Sequence, residues 1–169
     1  MILTHDAILH ALRSGRIVID PLSEDQVGPA SVDLHLGDEI RVMAAGAEPV
    51  AVDDAADWRA NTTLLRLDAP YELKPGETIL GITRERIRLP GDVAGWLEGR
   101  SRYARLGLTI HVTAGFIAPG VDSRQVLEMS NVAHRPLRIH AGVRLCQIVL
   151  QRCEGTAFYA GRFKGQDRL

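Results

Sequence analysis

The feature that most constrains this chain is its punctuation: short apolar runs recur along most of its length and are cut apart by tight-turn signals. These include Lys74-Pro75-Gly76-Glu77, Leu89-Pro90-Gly91-Asp92, Ala118-Pro119-Gly120 and His140-Ala141-Gly142. Runs this short, ended by Pro-Gly and Gly turns, suit antiparallel returns better than a helical bundle. Strands are predicted over residues 64–67, 77–83, 86–89, 93–97, 109–113, 125–129, 137–140 and 145–150. Val32, Leu34 and Leu36 alternate with Asp33 and His35, the period-two pattern of a half-buried strand. At the start, Thr4 is a good N-cap, Ile8, Leu9 and Leu12 recur at helical spacing, and Gly15 supplies a stop, which predicts one short amphipathic helix. Residues 17–19 form a brief strand and residues 21–29 a polar loop. Residues 44–63, rich in Ala, Asp and Asn without a clean period, form a surface insertion or a long hairpin excursion. About ten short strands with one or two short helices make an all-β fold, a sandwich or jelly-roll-like barrel. A chain of 169 residues suits one domain spanning 1–169.

The formal net charge of −1 requires that any anionic ligand be met by a local cluster of Arg and Lys, which disfavours nucleic acid as a partner. Met1-Ile2-Leu3-Thr4-His5-Asp6 has no basic region followed by an apolar run, and the sequence has no apolar stretch of about 18 residues. A soluble, cytoplasmic protein with no membrane partner is expected. Cys146 and Cys153 lie in or beside one apolar run without a C-x-x-C pattern, so buried reduced thiols are expected rather than a disulfide. The zinc signatures H-x-x-x-H, H-x-E and P-C-x-x-C are absent, as are the Walker and dinucleotide-binding glycine patterns. His111, in Ile110-His111-Val112, is expected to be a hydrogen-bonded sheet residue rather than a ligand.

Three segments carry candidate chemistry. Gly99-Arg100-Ser101-Arg102-Tyr103-Ala104-Arg105-Leu106-Gly107-Leu108 follows a predicted strand and concentrates three arginines. With Ser101 capping a short helix, free amides and guanidinium groups would make a phosphate-suited anion site; the alternative is a solvated basic turn. In Val126-Leu127-Glu128-Met129 a carboxylate sits between apolar neighbours. On the outer face of its sheet it is merely solvated. On the inner face its charge is costly to desolvate, which suits a group that takes a proton from water and returns it to a leaving group. The third segment, Tyr159-Ala160-Gly161-Arg162-Phe163-Lys164-Gly165-Gln166-Asp167-Arg168, is either a frayed tail or a flap that closes on a phosphorylated ligand.

The order of segments carries the reading further. Gly28-Pro29-Ala30-Ser31-Val32-Asp33-Leu34-His35-Leu36-Gly37, Gly99 through Leu108, His111-Val112-Thr113-Ala114, Pro119-Gly120, Val126-Leu127-Glu128 with Asn131, and Phe163-Lys164-Gly165-Gln166 together resemble dCTP deaminase, of the family of dCTP deaminases and trimeric dUTPases. The likeness is weakest across residues 44–75. It implies the distorted jelly-roll β-barrel of the trimeric dUTPases and a homotrimer, or a hexamer of two trimers, with sites between subunits. The implied reaction is zinc-independent deamination of a cytosine nucleoside triphosphate, with Mg²⁺ carried by the triphosphate. Arg100, Ser101, Arg102, Tyr103, Ala104 and Arg105 would line the phosphates and the reaction centre, Ser101 holding the attacking water and Arg105 lying near the carboxylate. Glu128, beside Val126 and Leu127, would activate water for attack at C4 of cytosine and then protonate the departing ammonia. Backbone groups around Thr113 and Ala114 would read the pyrimidine edge. Tyr159, Arg162 and Gln166 would close over the nucleotide, residues 159–169 forming the flap.

The chain also departs from the family pattern. Ala118 stands where an Asp would bind the sugar 3′-hydroxyl, and Val121 where an aromatic would pack on deoxyribose. Arg102 replaces a usual Ser, and Asp122-Ser123 an x-Gly turn. Relaxed sugar discrimination is the expected consequence. Gly99-Arg100-Ser101 and Asp33 are shared with pyrophosphatases of the dUTPase type, so a bifunctional deaminase that also cleaves to the monophosphate, or a pyrophosphatase alone, stays open. The altered sugar site also leaves open an inactive nucleotide-binding regulator.

Overall fold

The computed structural model describes residues 1–111 and 113–169; Val112, in the His111-Val112-Thr113-Ala114 motif, lies outside the described residues. Helix α1 (His5–Arg13) ends at Gly15, whose φ of 68° is the left-handed turn a residue without Cβ adopts freely. Thr4 occupies the N-cap position in extended conformation, but its side chain makes no capping hydrogen bond. Among the described residues the rest is strand and turn with one further short helix: β1 (Val18–Asp20), a 3₁₀ turn (Glu24–Gln26), β2 (Val32–Met43), β3 (Thr62–Arg66), β4 (Tyr71–Leu73), β5 (Thr78–Arg88), β6 (Val93–Gly99), α2 (Ser101–Ala104), β7 (Leu108–Ile110), β8 (Phe116–Ile117), β9 (Asp122–Asn131), β10 (Leu137–Ile139) and β11 (Arg144–Arg152).

Antiparallel pairing gives one large sheet in the order β7-β9-β5-β2-β11-β6-β8, with β1 on β5 and β3 on β2, while β10 pairs with β4. β6, near one end of the large sheet, comes against β7 at the other end, since a Cβ placed on Gly99 would lie 3.8 Å from Ile110 Cβ. The sheet curls around an apolar core in which Leu34, Leu36, Ile40, Ile79, Leu127, Met129 and Ile148 are inaccessible to solvent. β2 shows the expected alternation, Val32, Leu34 and Leu36 facing in. Residues 44–61 leave and return between the paired strands β2 and β3, so the predicted excursion is a hairpin one.

Two strands predicted separately, 77–83 and 86–89, are one strand, β5. Its pairing with β9 shifts register between Ile82 and Arg86, a bulge that turns Glu85 inward. Its carboxylate is fully enclosed and accepts from the His35 backbone N–H at 2.9 Å and from Gln26 Nε2 at 3.1 Å, with His35 Nδ1 2.5 Å away. Arg144 Nε donates to the far nitrogen of His35 at 3.2 Å, which fixes the imidazole between the two. Cys146 is buried and free, its thiol pushed up by burial with Glu85 adding to the effect, and the less buried Cys153 is also free. No helix of the described residues is long and apolar enough to cross a membrane.

Candidate active site

Glu128 lies on β9 opposite Leu80 of β5, with β7 on its other side. The period of two puts Leu127 and Met129 into the core and Glu128, with Val126 and Arg124, on the other face. The carboxylate is therefore on neither the enclosed inner face nor an open outer one. It stands at the edge of a pocket of about 460 Å³, with the side chain about one-third exposed. Leu127, placed by sequence among the ligand-contacting residues, has its side chain in the core and offers only its backbone.

β7 stops sooner than predicted because His111 turns the chain. Its φ is 52°, uncommon for a residue with a side chain, and its backbone N–H donates to Glu128 O at 3.1 Å. The ring is almost wholly buried, and Nδ1 lies 2.7 Å from Glu128 Oε2. That approach is off the direction a hydrogen bond needs, so both ring nitrogens and Oε2 lack hydrogen-bond partners among the described residues. The expected hydrogen-bonded sheet histidine is thus corrected: the backbone joins the ladder, but the ring faces the carboxylate. An unpartnered buried carboxylate oxygen at a pocket edge is costly unless a ligand or water completes it.

Ala114, Phe116, Ala118, Val121, Val126, Tyr159 and Gln166 line the same pocket. Thr113 is exposed and does not. The Pro119-Gly120 turn seats the tail: Gly120 has φ 72° with no room for a Cβ against Phe158, and the Tyr159 N–H donates to Pro119 O at 2.9 Å. From there the chain crosses β9, where Gln166 O accepts the Arg124 N–H at 2.8 Å, and it ends with Leu169 buried. The last residues are docked, not frayed. Arg162 lies beside this pocket, lining a second one of about 430 Å³ with Lys164, Gln166 and Arg168.

The α2 residues behave differently. Ser101 is the first residue of α2 and Arg100 holds the N-cap position, so Ser101 is not the cap. Arg100 is engaged within the chain, 3.1 Å from Asp33 Oδ2 and donating to Arg144 O at 3.2 Å. Tyr103 packs on the core. Ser101, Arg102, Ala104 and Arg105 are exposed, and none of Arg100–Arg105 lines either pocket. Within one chain Glu128, Ala114, Ala118, Val126, Tyr159 and Gln166 converge, and the basic turn stands apart.

Sequence reasoning missed Trp58, Phe116 and Phe163 in the pocket wall. Phe116 lay next to a recognised motif, and Phe163 lay inside one without being given a role; Trp58 sits in the aperiodic excursion, where no pattern marked it.

The sequence model of the dCTP deaminase-like family matches residues 2–153. The dUMP-forming dCTP deaminase of Methanosphaera stadtmanae is 40% identical, covering 89% of this chain and 78% of that protein. A dCTP deaminase of Rhodospirillum rubrum is 44% identical over 88% of this chain and 80% of its own length. Among solved structures, the 2′-deoxycytidine 5′-triphosphate deaminase of Agrobacterium tumefaciens superposes with a TM-score of 0.71 at 25% identity, covering 90% of this chain, which spans 48% of that one. A dUTPase of a Staphylococcus aureus phage shares the fold at a TM-score of 0.53 and 15% identity, over 86% of this chain and 96% of its own. Identity at this level across most of the sequence, together with the common curled sheet, shows that this chain belongs to the dCTP deaminase-like family.

Proposed function

We propose that this protein deaminates dCTP, and that Glu128 moves the protons. The supporting observation is the Glu128 carboxylate at the pocket edge, with one oxygen unpartnered beside His111. Water attacks C4 of the cytosine ring, and Glu128 takes its proton as the C–O bond forms. The same carboxyl group then protonates the exocyclic nitrogen as the C–N bond breaks, so dCTP and water become dUTP and ammonia. A tetrahedral centre of this kind also needs preorganised donors. Ser101 and Arg105 have the right chemistry but are exposed and away from the pocket. The reading that joins them to Glu128 is a homotrimer in which α2 of one copy completes the pocket of the next. In this reading Mg²⁺ is carried by the nucleotide's own phosphate oxygens. Residues 159–169 act as the lid of this site, and a nucleotide substrate fits a cytoplasmic setting.

A second reading is favoured by the relatives' names. The deaminase of Methanosphaera stadtmanae and that of Parafrankia sp. are described as dUMP-forming, so deamination followed by loss of pyrophosphate is the natural extension here. One experiment separates the possibilities: ammonia and pyrophosphate are measured in the same reaction, with dCTP, with CTP and with dUTP. Ammonia alone means dUTP as product, equal amounts mean dUMP, and pyrophosphate from dUTP without ammonia from dCTP means a pyrophosphatase. Binding with neither product means a regulator. Ala118 and Val121 line the pocket but themselves supply neither a carboxylate nor a ring for the sugar. The kcat/KM preference for dCTP over CTP is therefore expected to stay well below about a thousandfold, since the missing polar partner is what yields large discrimination. A preference far beyond that would contradict relaxed sugar recognition.

A further inference from the structure

The excursion between β2 and β3 shares least with the family pattern, yet it returns to the site. Trp58 is half-buried in the wall of the large pocket, and the neighbouring Arg59 lines the second pocket. The two pockets are contiguous, since Phe163 and Gln166 line both. The turn is built to hold this pair. Arg59 N–H donates to Asp57 Oδ1 at 3.0 Å, Thr62 Oγ1 donates to Trp58 O at 2.9 Å, and Arg41 Nη2 donates to Arg59 O at 3.2 Å. The guanidinium of Arg59 lies 4.4 Å from the centre of the Trp58 ring, and that of Arg41 lies 5.2 Å away. The turn is tied to the tail by Arg162 Nη1, which donates to Ala56 O at 3.3 Å.

The second pocket brings together Arg59, Arg162, Lys164 and Arg168 in a chain of net charge −1. None of the four forms an ion pair among the described residues. The single acid in the pocket, Asp167, is already held by Arg86. Four like charges around one cavity repel, and an anion seated among them relieves that repulsion.

We infer that Arg59 is a phosphate-binding residue, taking the far end of a nucleotide's phosphate chain while the base lies against Glu128, and that Trp58 positions it. This rests on the proposed function and adds a contact from the same chain as Glu128, distinct from the arginines of α2. The excursion then acts as a phosphate counter, joined to the lid through Arg162.

The test uses the full-length protein, with calorimetric titration of inorganic tripolyphosphate and of dCMP alongside steady-state kinetics on dCTP. Arg59→Ala is expected to weaken tripolyphosphate binding, and to raise KM for dCTP, by about tenfold to a hundredfold, with kcat within about threefold and dCMP affinity unchanged. Arg59→Lys should recover part of the loss. Trp58→Ala should reproduce the KM effect and Trp58→Phe largely restore it, with melting temperatures reported for all four variants. An Arg59→Ala protein that binds tripolyphosphate as tightly as wild type, or that loses dCMP and tripolyphosphate affinity equally, would overturn the inference. If wild type releases no ammonia from dCTP, the proposed function fails, while loss of tripolyphosphate binding in Arg59→Ala still upholds the anion site.

Discussion

Glu128→Gln is expected to lower ammonia release from dCTP by about a hundredfold to ten-thousandfold, the usual contribution of a positioned general acid–base group. Nucleotide affinity should stay within a few-fold of wild type. The amide has the shape of the carboxyl group and retains its place on β9 between β5 and β7, so the pocket keeps its walls. It cannot take a proton from water at neutral pH. His111 Nδ1 would then face an amide in place of the carboxylate 2.7 Å away. Single-turnover ammonia measurements combined with dCTP titration separate the two effects. A variant that turns over near the wild-type rate would remove Glu128 from the chemistry.

Glu85→Ala is expected to destabilise the fold by about 3–5 kcal/mol, the cost of removing one member of a buried charged network. The Glu85 carboxylate is fully enclosed, and its removal strands the His35 backbone N–H without an acceptor and leaves Gln26 Nε2 with only its bond to Asp33 O. In a domain of this size that corresponds to a fall in melting temperature of about 6–20 °C. The effect reaches the site, because Thr83 Oγ1 donates to Glu85 O at 2.8 Å and accepts the Gln125 N–H at 2.9 Å, pinning β9 to the bulge of β5. Glu85→Gln, which keeps an acceptor oxygen, should cost less. Thermal and urea unfolding of both variants give the comparison, and an Ala variant as stable as wild type would show that the network carries no net stability.

These two carboxylates mark where the sequence was legible and where it was not. Period-two alternation exposed β2, and the Thr4-to-Gly15 pattern exposed α1, because one face of each element is buried and the spacing records it. The Arg84-Glu85 segment reads as a break, since a charged residue inside a strand signals a loop unless its partners are known. Those partners, Gln26 and His35, are remote in sequence. β4 and β8, at three and two residues, are too short to carry a period. β7 ended early because His111 adopts a left-handed backbone that only the site's geometry explains. Glu128 was legible as a motif, but the face it occupies depends on register, and that same register turned Leu127 away from the ligand. Trp58 and Arg59 reach the pockets through folding of an aperiodic loop, which leaves no local signature.

The proposed trimer pairs Glu128 of one copy with Ser101 and Arg105 of another. Two inactive proteins, Glu128→Gln and Arg105→Ala, can be unfolded and refolded together at equal concentration and assayed for ammonia from dCTP. In a ring with shared sites, random assembly restores an intact Glu128 facing an intact Arg105 at about a quarter of the interfaces, so about a quarter of wild-type activity should return. A mixture as inactive as its parents, in oligomers shown to contain both chains, would contradict the shared site.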